Sequence, residues 1–178
     1  FDLFRKLKQF GRVFQQVRKN DIVYMLDSFA AGLPAALAAM MHGLPYIVRV
    51  GGDYLWEQRF IELDASPTTL SEFYARGLYR RLSFRPFFWS IRFVLANAKV
   101  VIFNSDKSSE LYKKYYGLKR IVVVYNPVPR IETQGVVRGT VRTEFVYFGR
   151  LIALKNLTTL IQAFAQARLP DFYTLVLI

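Results

Sequence analysis

Two short stretches carry residue types that can hold or move an anion. In Gly149-Arg150-Leu151-Ile152-Ala153-Leu154-Lys155-Asn156, two cations lie five residues apart behind a glycine. Val146 to Phe148 before it is a run of β-formers, and Leu157, Leu160, Ile161 and Phe164 after it recur at helical spacing. The pattern predicts a strand, a glycine turn and a helix capped by Asn156. Free N–H groups and the helix dipole favour phosphate at such a point; Arg150 would grip its oxygens bidentately and Lys155 would act as a mobile point charge. The alternative is an ordinary strand-to-helix turn with two solvated cations. The second stretch is Gly51-Gly52-Asp53-Tyr54-Leu55-Trp56-Glu57-Gln58. Paired glycines at a strand end let backbone approach a ligand closely, with the Asp53 and Glu57 carboxylates beside it. The alternative there is a Gly-Gly turn whose Asp53 caps a helix.

A third cluster interleaves Arg76, Arg80, Arg81, Arg85 and Arg92 with Phe84, Phe87, Phe88 and Trp89. Cations beside exposed aromatics suit an anionic membrane interface. In the competing reading the aromatics are core and the arginines a solvated face.

These residues need elements to position them. Phe1 to Lys19 reads as a basic amphipathic helix with an apolar stripe of Leu3, Leu7, Phe10, Phe14 and Val17. Ile22 to Leu26 is the first strand, and Asp27-Ser28 follows it where ligands approach α/β sheets. Pro34 opens a small-residue helix running to Met41, Gly43 suits its C-terminal cap, and Pro45 to Val50 is a buried strand. The unit is a βαβ. Residues 70 to 98 are helical; a continuous helix would align Leu78, Leu82, Trp89, Phe93 and Ala96, but Pro86 predicts two helices meeting near Ser83 to Pro86. Val100 to Phe103 is a strand, Asn104-Ser105-Asp106 supplies caps for a helix from Lys107 to Tyr116, and Gly117 closes it. Arg120 to Tyr125 is the next strand, ending in Asn126-Pro127-Val128-Pro129.

Residues 130–142 are polar, Gly-bearing and without helical period, and are expected to link domains 1–129 and 143–178. The chain starts without Met and stops on an apolar strand at Ile178, so it is expected to be part of a longer protein.

Composition sets the limits. The 178 residues are 53% hydrophobic and 16% aromatic, enough for a packed core. A formal charge of +12 points to an anionic partner. With no Cys, disulfides, thiolate metal sites and Cys nucleophiles are excluded, and one His excludes a His-rich metal centre. No secretory leader is visible. Ile22 to Val50 is apolar but too often interrupted by Asp27, Gly32, Pro34, His42, Gly43 and Pro45 to span a membrane.

Three segments in order, Val101-Ile102-Phe103-Asn104-Ser105, then Val122 to Val128, then Phe148 to Asn156, resemble glycosyltransferase family 4. Val48 to Gln58 resembles a variant within it. The resemblance implies an α/β fold of GT-B type: two Rossmann-like domains, here most of the acceptor-side domain with its first strand missing, and the start of the nucleotide-sugar domain. It implies a retaining transferase that takes a nucleotide diphosphate sugar as co-substrate, with no cofactor and no metal. Arg150 and Lys155 would contact the donor diphosphate, and Gly51, Gly52, Gly149 and Asn126 would line the cleft. Many relatives carry a His-Asp pair where this chain has Gly52-Asp53, which leaves Asp53 as the candidate catalytic group.

The expected acceptor is a glycan or lipid-linked hydroxyl in envelope polysaccharide or glycolipid synthesis. The expected location is cytoplasmic and peripheral to an anionic membrane, reached through Arg76, Arg80, Arg81, Arg85, Arg92 and Trp89. The 178 residues alone are expected to lack transferase activity. Other readings are a Rossmann-like phospholigand-binding domain, or a basic membrane-binding module without catalysis. No RNP-like or helix-turn-helix signature supports nucleic acid.

Overall fold

The computed structural model describes residues 3–61, 68–128, 143–152 and 155–178. The chain forms two compact units, residues 1–127 and 128–178. The linker expected over 130–142 lies outside the described residues.

The first unit is a four-stranded parallel sheet in the order β1 (Val23–Met25), β2 (Tyr46–Val50), β3 (Val100–Phe103), β4 (Ile121–Val123). Val48 pairs with both Met25 and Val101, and Phe103 with both Val50 and Val123, so the two middle strands are flanked on each edge. Each parallel step is made by a crossover carrying helix, as parallel pairing requires. α1 (Leu3–Gln16) precedes the sheet, and α2 (Gly32–Met41) joins β1 to β2. A π-helical turn (Trp56–Ile61), α3 (Leu70–Ala75), a 3-10 turn (Leu78–Arg80) and α4 (Arg85–Asn97) lead to β3. α5 (Asp106–Tyr116) leads to β4. The mixed α/β architecture with its all-parallel sheet is Rossmann-like, as expected.

Local chemistry explains most boundaries. Pro86 sits in the first turn of α4, where its missing N–H costs nothing. Gly43 and Gly117 end α2 and α5 in the left-handed conformation that glycine takes without strain. Ser105 caps α5 by accepting from the Ser108 N–H, and Thr69 forms a reciprocal capping box with Glu72 at α3. The small residues of α2 are buried, with Ala36, Ala38 and Ala39 fully so, which lets its backbone approach its neighbours closely. The core gathers Val48, Val50, Leu55, Phe60, Phe73, Ile91, Val94, Leu95 and Phe103.

One expected apolar stripe is corrected. On α1, Leu7 is 59% exposed, while Val13 and Val17 pack on the core. Lys6 turns inward instead, donating to the carbonyls of Phe29 and Ala30 at 2.9 Å with its ammonium over the Phe29 ring. Burial lowers the Lys6 pKa against the pull of Asp27. On α4 the buried residues are Phe88, Ile91, Val94 and Leu95, whereas Trp89, Phe93 and Ala96 face outward.

The second unit holds β5 (Thr143–Tyr147), α6 (Leu157–Gln166) and β6 (Tyr173–Leu177). β5 and β6 pair in parallel, with Phe145 opposite Leu175. None of its described residues is buried.

Candidate functional site

The segment after β2 is built around Asp53. Its carboxylate is 3% exposed, and both oxygens are engaged. Oδ1 accepts from the Trp56 N–H at 2.8 Å; Oδ2 accepts from the hydroxyls of Tyr74 at 2.7 Å and Tyr112 at 2.8 Å. Tyr74 lies 2.7 Å from the Tyr116 hydroxyl, and since its own proton goes to Asp53, Tyr116 is the donor of that pair. Tyr112 and Tyr116 stack at 4.7 Å with nearly parallel rings, and Phe88 stacks on Tyr116. Burial raises the Asp53 pKa, partly offset by hydrogen bonds from Trp56, Tyr74 and Tyr112. Burial, followed by the Asp53 charge, holds all three tyrosines well above their ordinary range. The geometry is that of the helix-capping alternative: Asp53 opens the following turn and anchors it to α3 and α5.

The glycines before it have different reasons. A Cβ on Gly52 would collide with the Glu57 carboxylate, which folds back to accept from the Asp53 N–H at 3.1 Å. Gly51 is exposed with open space around it, so it keeps bare backbone at the strand end. Asn126 follows β4, and its Oδ1 accepts from Arg49 Nη2 at 2.7 Å. Arg49 belongs to β2, so this bond bridges two strand ends across β3. Asp27, expected near a ligand, accepts from the N–H groups of Phe29, Ala31 and Gly32 and organises the entry to α2.

In the second unit, Gly149 has φ +151 and donates its N–H to the Ile178 carbonyl at 2.8 Å. Tyr147 donates its hydroxyl to the Arg150 carbonyl at 3.1 Å, Ile152 N–H bonds the Arg150 carbonyl and Lys155 N–H the Ile152 carbonyl. Both cationic side chains are exposed. Asn156 stands at the start of α6 but does not cap it with its side chain; it is left-handed, and its Oδ1 accepts from the Thr159 hydroxyl. The expected Asn156 cap is corrected in that detail.

The basic aromatic segment divides. Phe84 and Phe88 are buried, as the core alternative had it. Trp89 is 54% exposed, and with Arg80, Arg85 and Arg92 it lines a cavity of about 640 Å³ that Tyr79, Phe88, Lys114 and Tyr115 complete. Arg76 ends α3 and Arg81 stands over the Phe60 ring; neither lines the cavity. Among the described residues, no three His, Asp or Glu side chains gather to hold a metal ion, and no helix is long and apolar enough to cross a membrane.

Sequence reasoning missed Arg49 and the three network tyrosines. Arg49, a cation inside the apolar run Tyr46 to Val50, was a usable signal. So was the Tyr112, Tyr116 pair four residues apart on an otherwise polar helix.

Residues 2–130 match the family model described as Glycosyltransferase Family 4, a span that takes in the whole Asp53 network and Asn126. No curated protein matches the chain.

Proposed function

Because the chain belongs to glycosyltransferase family 4, we propose that the protein moves a sugar from a nucleotide diphosphate sugar to a hydroxyl of a glycan or lipid-linked acceptor, with retention. The setting we infer is envelope polysaccharide or glycolipid synthesis on the cytoplasmic side of a membrane. The observation that carries the donor assignment is the turn from Gly149 to Asn156. It offers two exposed cations ahead of α6, whose first turn the Asn156 side chain leaves uncapped. In the transfer, the bond from the anomeric carbon to the diphosphate oxygen breaks and one to the acceptor oxygen forms. The nucleoside diphosphate departs with the electron pair, and the proton of the acceptor hydroxyl is released. Arg150 and Lys155 neutralise the charge that grows on the departing diphosphate.

Asp53 in this reading is a positioning residue. Its carboxylate is buried and holds Trp56, Tyr74 and Tyr112, so it faces the protein rather than a substrate. What it delivers is the Gly51-Gly52 backbone, held at the end of β2, with Asn126 oriented by Arg49 at the end of β4. Exposed Trp89 and Leu82 among arginines support a membrane-side acceptor.

The test is calorimetric titration of the protein with uridine and guanosine diphosphates, alongside Arg150→Ala and Lys155→Ala. A charge-assisted hydrogen bond is worth about 1.5–3 kcal/mol, so each variant should weaken binding by roughly ten-fold or more. Equal affinity in all three proteins removes the assignment.

A further inference from the structure

We propose that the cavity between α4, α5 and the 3-10 turn is a discrete site for a sugar-sized ligand carrying a phosphate group. Arg80, Arg85, Arg92 and Lys114 converge on it, and its lining contains no Asp or Glu. Four like charges around one hollow repel each other, and an anion removes that cost. The cations are also held in place. Arg92 lies over the Trp89 ring at 5.3 Å, Lys114 over Tyr115 at 5.3 Å, and Arg80 over Tyr79 at 5.4 Å with its Nε donating to the Tyr79 hydroxyl. Aromatic faces thus fix three of the four without consuming their charge, so little side-chain freedom is lost when they bind. The Arg92 guanidinium also approaches Gly117, at the end of α5, where the helix dipole is negative.

Size separates this site from one for a bare ion. At about 640 Å³ it lies within the range of organic ligand pockets. Buried Phe88 and Tyr79, with Trp89 and Tyr115, give apolar walls against which a ring can lie while its phosphate meets the cations. The site lies wholly in the first unit and does not depend on the donor assignment. It rests on the acceptor- and membrane-facing reading of this segment only for where the ligand comes from.

Trp89 is a reporter within the cavity. The only other tryptophan is Trp56, so Trp56→Phe leaves Trp89 as the single emitter. That protein should show a saturable Trp89 emission change with glucose 6-phosphate, at least ten-fold weaker with inorganic phosphate and absent with glucose. Exposed Arg85→Ala and Lys114→Ala should each weaken the response about ten-fold, with Arg76→Ala, outside the cavity, leaving it unchanged. Phosphatidylglycerol–phosphatidylcholine vesicles then separate the sources. A Trp89 change with vesicles that glucose 6-phosphate competes away supports the proposal with a lipid headgroup as ligand. A glucose 6-phosphate response that vesicles neither mimic nor disturb supports it with a free sugar phosphate. Salt-sensitive vesicle binding with no glucose 6-phosphate response overturns the cavity and leaves a diffuse basic face. No response to any probe overturns both.

Discussion

Replacing Asp53 probes the buried network, and the size of the effect follows from its partners. In Asp53→Ala the cap on the Trp56 N–H disappears, costing about 1 kcal/mol. Tyr112 loses the acceptor of its hydroxyl while remaining buried, costing about 1–3 kcal/mol, whereas Tyr74 keeps its contact with Tyr116. The sum is about 2–4 kcal/mol, a large part of the roughly 5–15 kcal/mol available to a domain. Asp53→Asn keeps the shape and the cap oxygen, and its amide donates to the tyrosine oxygens instead of accepting from them, so it spares the cap term and should cost about 1 kcal/mol less than alanine. The two variants also differ from wild type in pH dependence. The folded pKa of Asp53 lies above its ordinary 3.8, so its contribution is fully present below 3.8 and is lost as pH rises through the folded value. Wild type should therefore lose stability relative to Asp53→Asn as pH climbs from about 4. Urea unfolding between pH 4 and 8, with unchanged m-values, measures both effects. A flat difference, or wild type gaining on Asn as pH rises, would refute the desolvation argument. An alanine variant as stable as the asparagine one would refute the network.

Two glycines make complementary predictions. At Gly32 a Cβ would run into the Asp27 backbone carbonyl, which cannot rotate away, so Gly32→Ala should cost about 1–3 kcal/mol by urea unfolding. A change below about 0.5 kcal/mol would place the two segments further apart than described. At Gly52 the obstacle is the end of the Glu57 side chain, so Gly52→Ala should cost about 1 kcal/mol through loss of the Glu57–Asp53 bond. In a Glu57→Ala background that cost should fall by at least half, and additive effects in the double-mutant cycle would contradict the collision.

Much of the fold was legible because its signals are local. Pro86, Gly43, Gly117 and Ser105 each act within one turn, and the structure uses them where sequence reasoning put them. The phase of the helices was less legible. Leu7 belongs to a clean apolar spacing, yet α1 is rolled so that Lys6 reaches two carbonyls that open the entry to α2. Hydrophobic periodicity cannot foresee a lysine stem lying against apolar surface with a partner 23 residues away. Leu82, Trp89 and Phe93 likewise formed an apolar row that the structure leaves outside, because Phe88, Ile91 and Val94 made a competing one. At the candidate site, Asp53 was singled out for its place after a strand. Its partners lie 21 and 59 residues further on, and no local pattern connects a carboxylate to tyrosines that far away.

Those separations have a consequence for the order of folding. Trp56 and Tyr74 can reach the Asp53 carboxylate without α5, but the Tyr112 bond that completes the set needs α5 in place. Closing a loop of 59 residues costs chain entropy before any contact repays it. A nascent chain that has emerged only as far as α4 carries Asp53, Trp56 and Tyr74 but neither Tyr112 nor Tyr116, so its network is one hydroxyl short at the carboxylate and lacks the stacked pair behind it.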